Sequence, residues 1–293
     1  MHTTVIEPSE LAAHATDDNW AVIDCRFDLT RPDWGATAFA AGHVPNALYA
    51  NLDRDLSSPV TPTSGRHPLP RPEEFARKLG AWGIDADVQV VAYDQGSGAY
   101  AARLWWLLRW LGHDRVAVLN GGFAAWQQAG LPVSQQPGVR AQRRFVPRPS
   151  WGAVVSTDEI LHLVRAGQLD AARTELSRAG GSRTLIDARA ADRFAGQNET
   201  IDPVAGHVPG ARNHPFAHNL DAQGRFLPPA SLRERWLETL QGQPSSNAIA
   251  MCGSGVTACH NLLALEISGL PGAALYAGSW SEWIRDAARP VAR

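Results

Sequence analysis

The feature that most constrains this chain is that it is written twice. Ala21-Val-Ile-Asp-Cys-Arg-Phe27 echoes Thr184-Leu-Ile-Asp-Ala-Arg-Ala190, and Gly42-His-Val-Pro-Asn-Ala47 echoes Gly206-His-Val-Pro-Gly-Ala211. Val90-Val-Ala-Tyr-Asp-Gln-Gly96 parallels Ile249-Ala-Met-Cys-Gly253, and Leu119-Asn-Gly-Gly-Phe-Ala-Ala-Trp126 parallels Tyr276-Ala-Gly-Ser-Trp-Ser-Glu-Trp283. The four pairs keep their order at an offset of about 160 residues, so the chain must fold as two versions of one plan. The Pro-, Gln- and Arg-rich stretch from Ser134 to Ser150 reads as the connection. This gives a first domain over 1–136, a linker over 137–151 and a second domain over 152–293. A length of 293 residues suits two domains of ordinary size.

Within the first copy, Trp20–Asp24, Ala47–Tyr49, Val88–Tyr93 and Ala117–Leu119 are short apolar runs that read as strands, and Pro72–Trp82 and Gly98–Gly112 read as helices. Alternation of this kind predicts an α/β fold, a parallel sheet flanked by helices, in each copy. Ligands of such sheets sit outside the carboxyl ends of the strands. Asp94 and Cys252 occupy that edge in their respective copies. An aspartate cannot act as a sulfur nucleophile, so the first copy reads as catalytically inactive.

Cys252 ends the apolar run Asn247-Ala-Ile-Ala-Met251 and is followed by Gly253-Ser-Gly-Val-Thr257, where a helix over Thr257–Ile267 begins. A strand that turns sharply into a helix aims backbone N–H groups and the positive end of the helix dipole at one spot. A sulfur held there is favoured as its reactive thiolate. Composition narrows what such a thiolate serves. The net charge of −2 gives no global attraction to nucleic acid or anionic membrane. The start, Met1-His-Thr-Thr-Val-Ile-Glu-Pro8, lacks the pattern of a secretory signal, and the most apolar helical stretch, Ala99–Leu111, carries Arg103 and Arg109. Three widely spaced cysteines suggest neither a disulfide framework nor a zinc site. A cytoplasmic, reducing compartment is the expectation, with no metal and no organic cofactor.

The tandem layout, the paired Gly-His-Val-Pro segments and the cysteine loop resemble the two-domain rhodanese-type sulfurtransferases, over nearly the whole chain. In that family, loops with two basic residues after the cysteine resemble thiosulfate:cyanide sulfurtransferases. The uncharged run Cys252-Gly-Ser-Gly-Val-Thr-Ala-Cys-His260 resembles the 3-mercaptopyruvate sulfurtransferases. The division has a physical basis. Thiosulfate is a dianion whose desolvation needs nearby positive charge, whereas mercaptopyruvate carries one carboxylate away from its sulfur.

The resemblance implies site residues. Cys252 is the nucleophile, cradled with its outer sulfur by the N–H groups of Gly253, Gly255, Val256 and Thr257. Ser254 is the hydroxyl beside it, linked to His67 in Gly65-Arg-His-Pro-Leu-Pro70 and to Asp53 in Asn51-Leu-Asp-Arg54, with Asp55 an alternative to Asp53. These lie in a Pro/Ser/Thr-rich excursion that the second copy does not repeat in the same form. Arg193 is the carboxylate anchor, and Arg189 braces Asp187. Many mercaptopyruvate enzymes carry a second arginine where this chain reads Glu199-Thr-Ile-Asp-Pro-Val204, which bears on substrate preference. Cys25, Cys259, His43, His207 and the Trp105/Trp106/Trp110 cluster are expected to be structural, and Trp280 to line the pocket. The implied reaction passes sulfur from 3-mercaptopyruvate, or alternatively thiosulfate, through a Cys252 persulfide to cyanide, a small thiol or thioredoxin. A cysteine phosphatase would want an arginine near the end of the loop, where Thr257-Ala258 stand.

Overall fold

A computed structural model describes residues 1–148, 152–169 and 183–293. It divides into two compact units. The first comprises Met1–Pro59, Leu69–Trp151 and Leu220–Phe226; the second comprises Val60–Pro68, Gly152–Asn219 and Leu227–Arg293. The division is therefore not the contiguous one expected from sequence, since each unit incorporates a short segment from the other half of the chain.

The first unit holds a five-stranded parallel sheet in the order β1 (Val5–Ile6), β5 (Val116–Leu119), β4 (Gln89–Tyr93), β2 (Trp20–Asp24), β3 (Leu48–Tyr49). Its helices are α1 (Pro8–Ala12), α2 (Trp34–Ala41), α3 (Pro72–Ala81), α4 (Ala101–Trp110) and α5 (Gly122–Gln128). β4 is buried along its whole length, as a central parallel strand covered on both faces must be. Trp105 and Trp106 are fully buried on α4, as expected of packing residues, and Trp126 on α5 joins Val91, Tyr93 and Leu119 in the core. The segment expected to be a free linker is partly strapped onto this unit. The N–H groups of Gly138, Arg143 and Arg148 donate to the carbonyls of Ala47, Gly80 and Leu111. Residues 149–151 of that linker lie outside the described residues.

The second unit repeats the plan with a four-stranded parallel sheet, β7 (Arg212–Asn213), β6 (Thr184–Asp187), β8 (Ala248–Met251), β9 (Ala274–Leu275). A single parallel bridge from Val154 to Leu275 takes the place that β1 has in the first sheet. The helices are α6 (Thr157–Arg165), α7 (Ala191–Phe194), α8 (Pro229–Leu240), α9 (Thr257–Ile267) and α10 (Ser279–Trp283). Ser156 and Glu159 close a capping box at the start of α6, which satisfies two otherwise orphan N–H groups.

The repeated motifs are braces. Arg26 donates to both carboxylate oxygens of buried Asp24 and to the Gly42 carbonyl at 2.7 Å; Arg189 does the same with Asp187 and with the Gly206 carbonyl at 2.8 Å. His43 stacks on Phe39 and bonds its carbonyl, as His207 does with Phe194. Cys25 and Ala188 are both buried, and each donates its N–H to the strand residue before the loop, Tyr93 or Met251. Among the described residues, no helix is long and apolar enough to cross a membrane.

Candidate functional site

The site is built at the carboxyl end of β8. Cys252 follows that strand directly, and the chain turns through Gly253, Ser254, Gly255 and Val256 into α9. Gly255 has φ +77°, and a Cβ there would stand 2.4 Å from the Ala277 carbonyl oxygen, so only glycine fits. The turn aims two backbone N–H groups at the Cys252 sulfur, from Gly255 at 3.1 Å and from Ser254 at 3.4 Å. Cys252 is 2% exposed, so these oriented dipoles, not bulk water, face the sulfur. Val256 is buried and precedes Thr257, the first residue of α9.

The Cys252 N–H donates to Ser279 Oγ at 3.0 Å. Ser279 has φ +54°, unusual for a non-glycine residue, and Gly122 has φ +57° at the corresponding place in the first unit. Ser279 was not anticipated. The signal was present in the repeat, where Gly121-Gly122 aligns with Gly278-Ser279.

Ser254 and His67, expected as partners, meet: His67 Nδ1 lies 2.7 Å from Ser254 Oγ, and both side chains are buried. His67 reaches this position because Val60–Pro68 belongs to the second unit, pinned by α10. The Gly65 N–H donates to Glu282 Oε2, the Arg66 N–H to Ser281 Oγ, and Arg285 Nε to the Ser64 carbonyl. Asp53 belongs to the first unit, where it is exposed and its N–H donates to Asn51 Oδ1. Asp55 is held by Lys78 and by the Asn51 N–H.

Arg193, the expected carboxylate anchor, is enclosed by carboxylates. Its Nε donates to both oxygens of Glu199 at 3.1 Å, and its Nη2 donates to Glu199 at 2.9 Å and to Asp202 at 3.1 Å. Burial works to raise the Glu199 pKa, but hydrogen bonds from Arg193 and from the N–H groups of Asp202 and Ile201 outweigh it and hold the carboxyl below its usual value. Asp202 also accepts from Arg66 Nη1 at 2.9 Å and Nη2 at 3.3 Å. Arg66 was missed by the sequence reading. Its nearness to Gly253 is direct: a Cβ on Gly253 would lie 3.5 Å from Arg66 Nη2 and 3.8 Å from Arg193 Nη2. Arg66, Asp202 and Ser281 line a cleft of about 430 Å³ together with Ile201, Ile284 and Arg285, and the Ser281 N–H donates to the Gly253 carbonyl.

Trp280 does not line an open pocket: it is fully buried, its Nε1–H donates to the Val204 carbonyl, and the Arg189 guanidinium lies 4.8 Å from its ring centroid. Cys259 is buried with its thiol donating to the Gly255 carbonyl at 3.3 Å. Among the described residues, no group of three or more His, Cys, Asp or Glu side chains could hold a metal ion.

Comparison with known proteins agrees with this architecture. The family model described as the rhodanese-like domain matches residues 7–129 and 170–286. A probable 3-mercaptopyruvate sulfurtransferase of Pseudomonas aeruginosa is 47% identical over 290 residues, 98% of this chain and 97% of that protein. A putative thiosulfate sulfurtransferase of Mycobacterium tuberculosis is 36% identical over 99% of this chain and 96% of its own length. Among solved structures, a 3-mercaptopyruvate sulfurtransferase from Leishmania major superposes with a TM-score of 0.80 at 32% identity, covering 96% of this chain and 74% of that one.

Proposed function

The chain belongs to the rhodanese family, and from that membership we propose that it is a sulfurtransferase that takes sulfur from 3-mercaptopyruvate. The Cys252 thiolate attacks the donor's sulfur. As the S–S bond forms, the C–S bond breaks and its electron pair passes into the adjoining carbonyl as an enolate. A proton delivered through Ser254 and His67 turns the enolate into pyruvate. The N–H groups from Gly253 to Thr257 stabilise the Cys252 persulfide, Arg193 anchors the donor's carboxylate, and a thiophile (cyanide, a small thiol or thioredoxin) then removes the outer sulfur. No organic cofactor enters this scheme.

The single observation that carries this reading is the 2.7 Å contact between Ser254 and His67 next to the cysteine. A leaving enolate needs a proton, and the sulfite leaving thiosulfate does not. Charge supports the same choice. The arginines bordering Gly253 are balanced by Asp202 and Glu199, so the site offers little net attraction to a dianion. In this reading 152–293, joined by 60–68, is the catalytic domain, the rest of 1–136 its inactive copy, 137–151 the linker, and the setting cytoplasmic, away from nucleic acid and membrane. Initial rates with both donors on one preparation test it: kcat/KM for 3-mercaptopyruvate exceeds that for thiosulfate at least tenfold. The reverse order would assign the chain as a thiosulfate:cyanide sulfurtransferase.

A further inference from the structure

The carboxylates around Arg193 form part of a longer chain of alternating charge. It runs Asp187, Arg189, Glu199, Arg193, Asp202, Arg66, each linked to the next by an ion pair of 2.7–3.4 Å. Interior members share their charge between two partners. Arg193 divides itself between Glu199 and Asp202, with Nε and Nη2 both committed. Arg66 is the terminal member and, among the described residues, faces one carboxylate, with one bond from each terminal nitrogen. Its Nε is buried and has no acceptor among the described residues.

A buried donor without an acceptor destabilises a protein by about 1–3 kcal/mol, so this arrangement serves something other than stability. Arg66 is held by its own backbone N–H on Ser281 Oγ at 3.0 Å, so the guanidinium is mounted, not adrift. It is 27% exposed and borders both the open cleft and the space that Gly253 leaves by having no side chain. That space adjoins the reactive cysteine. It is where the far end of a short donor would lie once its sulfur met Cys252.

We propose that Arg66 is the principal grip on the donor's carboxylate, and that Asp202 is its positioning residue, fixing the guanidinium so that its Nη2 borders the space over Gly253. The proposal rests on the mercaptopyruvate reading above and extends it. Arg193, tied to two carboxylates, then keeps a secondary share of that anchoring and holds Asp202 in place. The donor class this selects is a small thiol with a carboxylate on the carbonyl carbon side, in preference to an equally reactive thiol without one.

The test compares 3-mercaptopyruvate with 1-mercaptopropan-2-one, which keeps the ketone and thiol but lacks the carboxylate. Arg66→Met is expected to raise KM for mercaptopyruvate about ten- to a hundredfold, the range for losing a charge-assisted hydrogen-bonded partner, with kcat within about twofold. Its kcat/KM for mercaptopropanone stays within about twofold of wild type. Arg66→Lys, which retains a charge beside Asp202 and so protects the fold, is expected to raise KM for mercaptopyruvate a few-fold and leave mercaptopropanone alone. Equal losses with both donors, or a fall in kcat alone, would make Arg66 a structural brace and overturn the proposal. The parent reading is checked separately by wild-type mass spectrometry after mercaptopyruvate. If no addition of about 32 Da appears on Cys252, that reading fails first and takes this one with it.

Discussion

The two units place different acceptors in the same cradle. In the first, the Asp94 carboxylate accepts four backbone N–H groups: Gly96 at 3.0 Å and Gly98 at 2.9 Å on one oxygen, Tyr100 at 2.9 Å and Ala101 at 3.3 Å on the other. In the second, the Cys252 sulfur accepts two, from Ser254 and Gly255. A strand that runs into a helix makes an anion site in either case. The first loop closes four N–H groups on a carboxylate of its own, whereas the second turns two onto its sulfur. The exchanged segments differ in parallel. Gly65-Arg66-His67 in the second unit corresponds to Gly224-Arg225-Phe226 in the first, where Arg225 pairs with Glu7 and the Phe226 N–H donates to Asn120. The second unit thus sets Ser254 and His67 beside its cysteine, and the first has an aspartate and Phe226 in the corresponding places.

The hardest test of that contrast is to move the nucleophile. Cys252→Ser is expected to lower sulfur transfer by at least about a thousandfold and to abolish the persulfide mass shift. Adding Asp94→Cys to that variant should restore nothing measurable, because the proposed mechanism uses His67 and the corresponding residue of the first unit is Phe226. Recovery of even a few per cent of the wild-type rate would show that the cradle alone suffices. A smaller effect comes from moving the proton carrier. His67→Phe, which copies the first unit, should reduce kcat with mercaptopyruvate about a hundredfold or more, within the range of general acid–base catalysis. With thiosulfate, whose leaving group needs no proton, the reduction should be under about tenfold. Equal losses with both donors would mean that His67 only supports the loop.

Stability tests the other half of the comparison. Asp94→Ala strips the acceptor from four N–H groups at once and should cost the first unit about 3 kcal/mol, measured by urea unfolding, since hydrogen bonds to a charged group each contribute about 1.5–3 kcal/mol and water will reach some of the freed donors. Persulfide formation on Cys252 per folded molecule should not change. A loss below about 1 kcal/mol would mean that the first loop is not held by its carboxylate.

Much of this was legible in the residues because it depends on local rules. β2 and α9 fall where the apolar runs ended, at Trp20–Asp24 and Thr257–Ile267, since a buried parallel strand must be apolar and a glycine turn must end it. Cys252, Ser254 and His67 came from the loop and its resemblance, and geometry then joined two of them at 2.7 Å. What escaped was non-local. The exchange of Val60–Pro68 and Leu220–Phe226 between units leaves no mark in periodicity, because both are irregular segments whose place is set by long-range bonds such as Arg66 to Ser281. Their kinship was visible only by aligning Gly65-Arg66 with Gly224-Arg225, across an excursion that differs in length. Arg66 was missed because ion pairs between residues far apart in sequence have no spacing rule. Trp280 was misplaced because a tryptophan beside a site and one beneath it look the same in sequence.

The smallest expected effect separates the units by acid. The residue after β7, His214, corresponds to Ala50 after β3, since each donates its N–H to the aspartate that ends the neighbouring strand. Burial pushes His214 down to about 4, against the opposing hydrogen bond to Asn219, with nearby His218 and Arg235 lowering it further. The native state therefore refuses a proton that the unfolded chain accepts from about pH 6.5 downward. Stability of the second unit is full above that value and falls as the pH drops toward 4, by about 2 kcal/mol between pH 7 and pH 5. The first unit, with alanine at this position, has no such slope from this source. The check is hydrogen exchange resolved by unit at pH 7 and pH 5, on wild type and on His214→Gln. The variant should be less stable at pH 7, because its side chain cannot reproduce the bonds to Thr239 and Asn219, yet it should lose less protection on acidification. An equal loss in both proteins would place the acid sensitivity elsewhere and leave the two units alike in this respect.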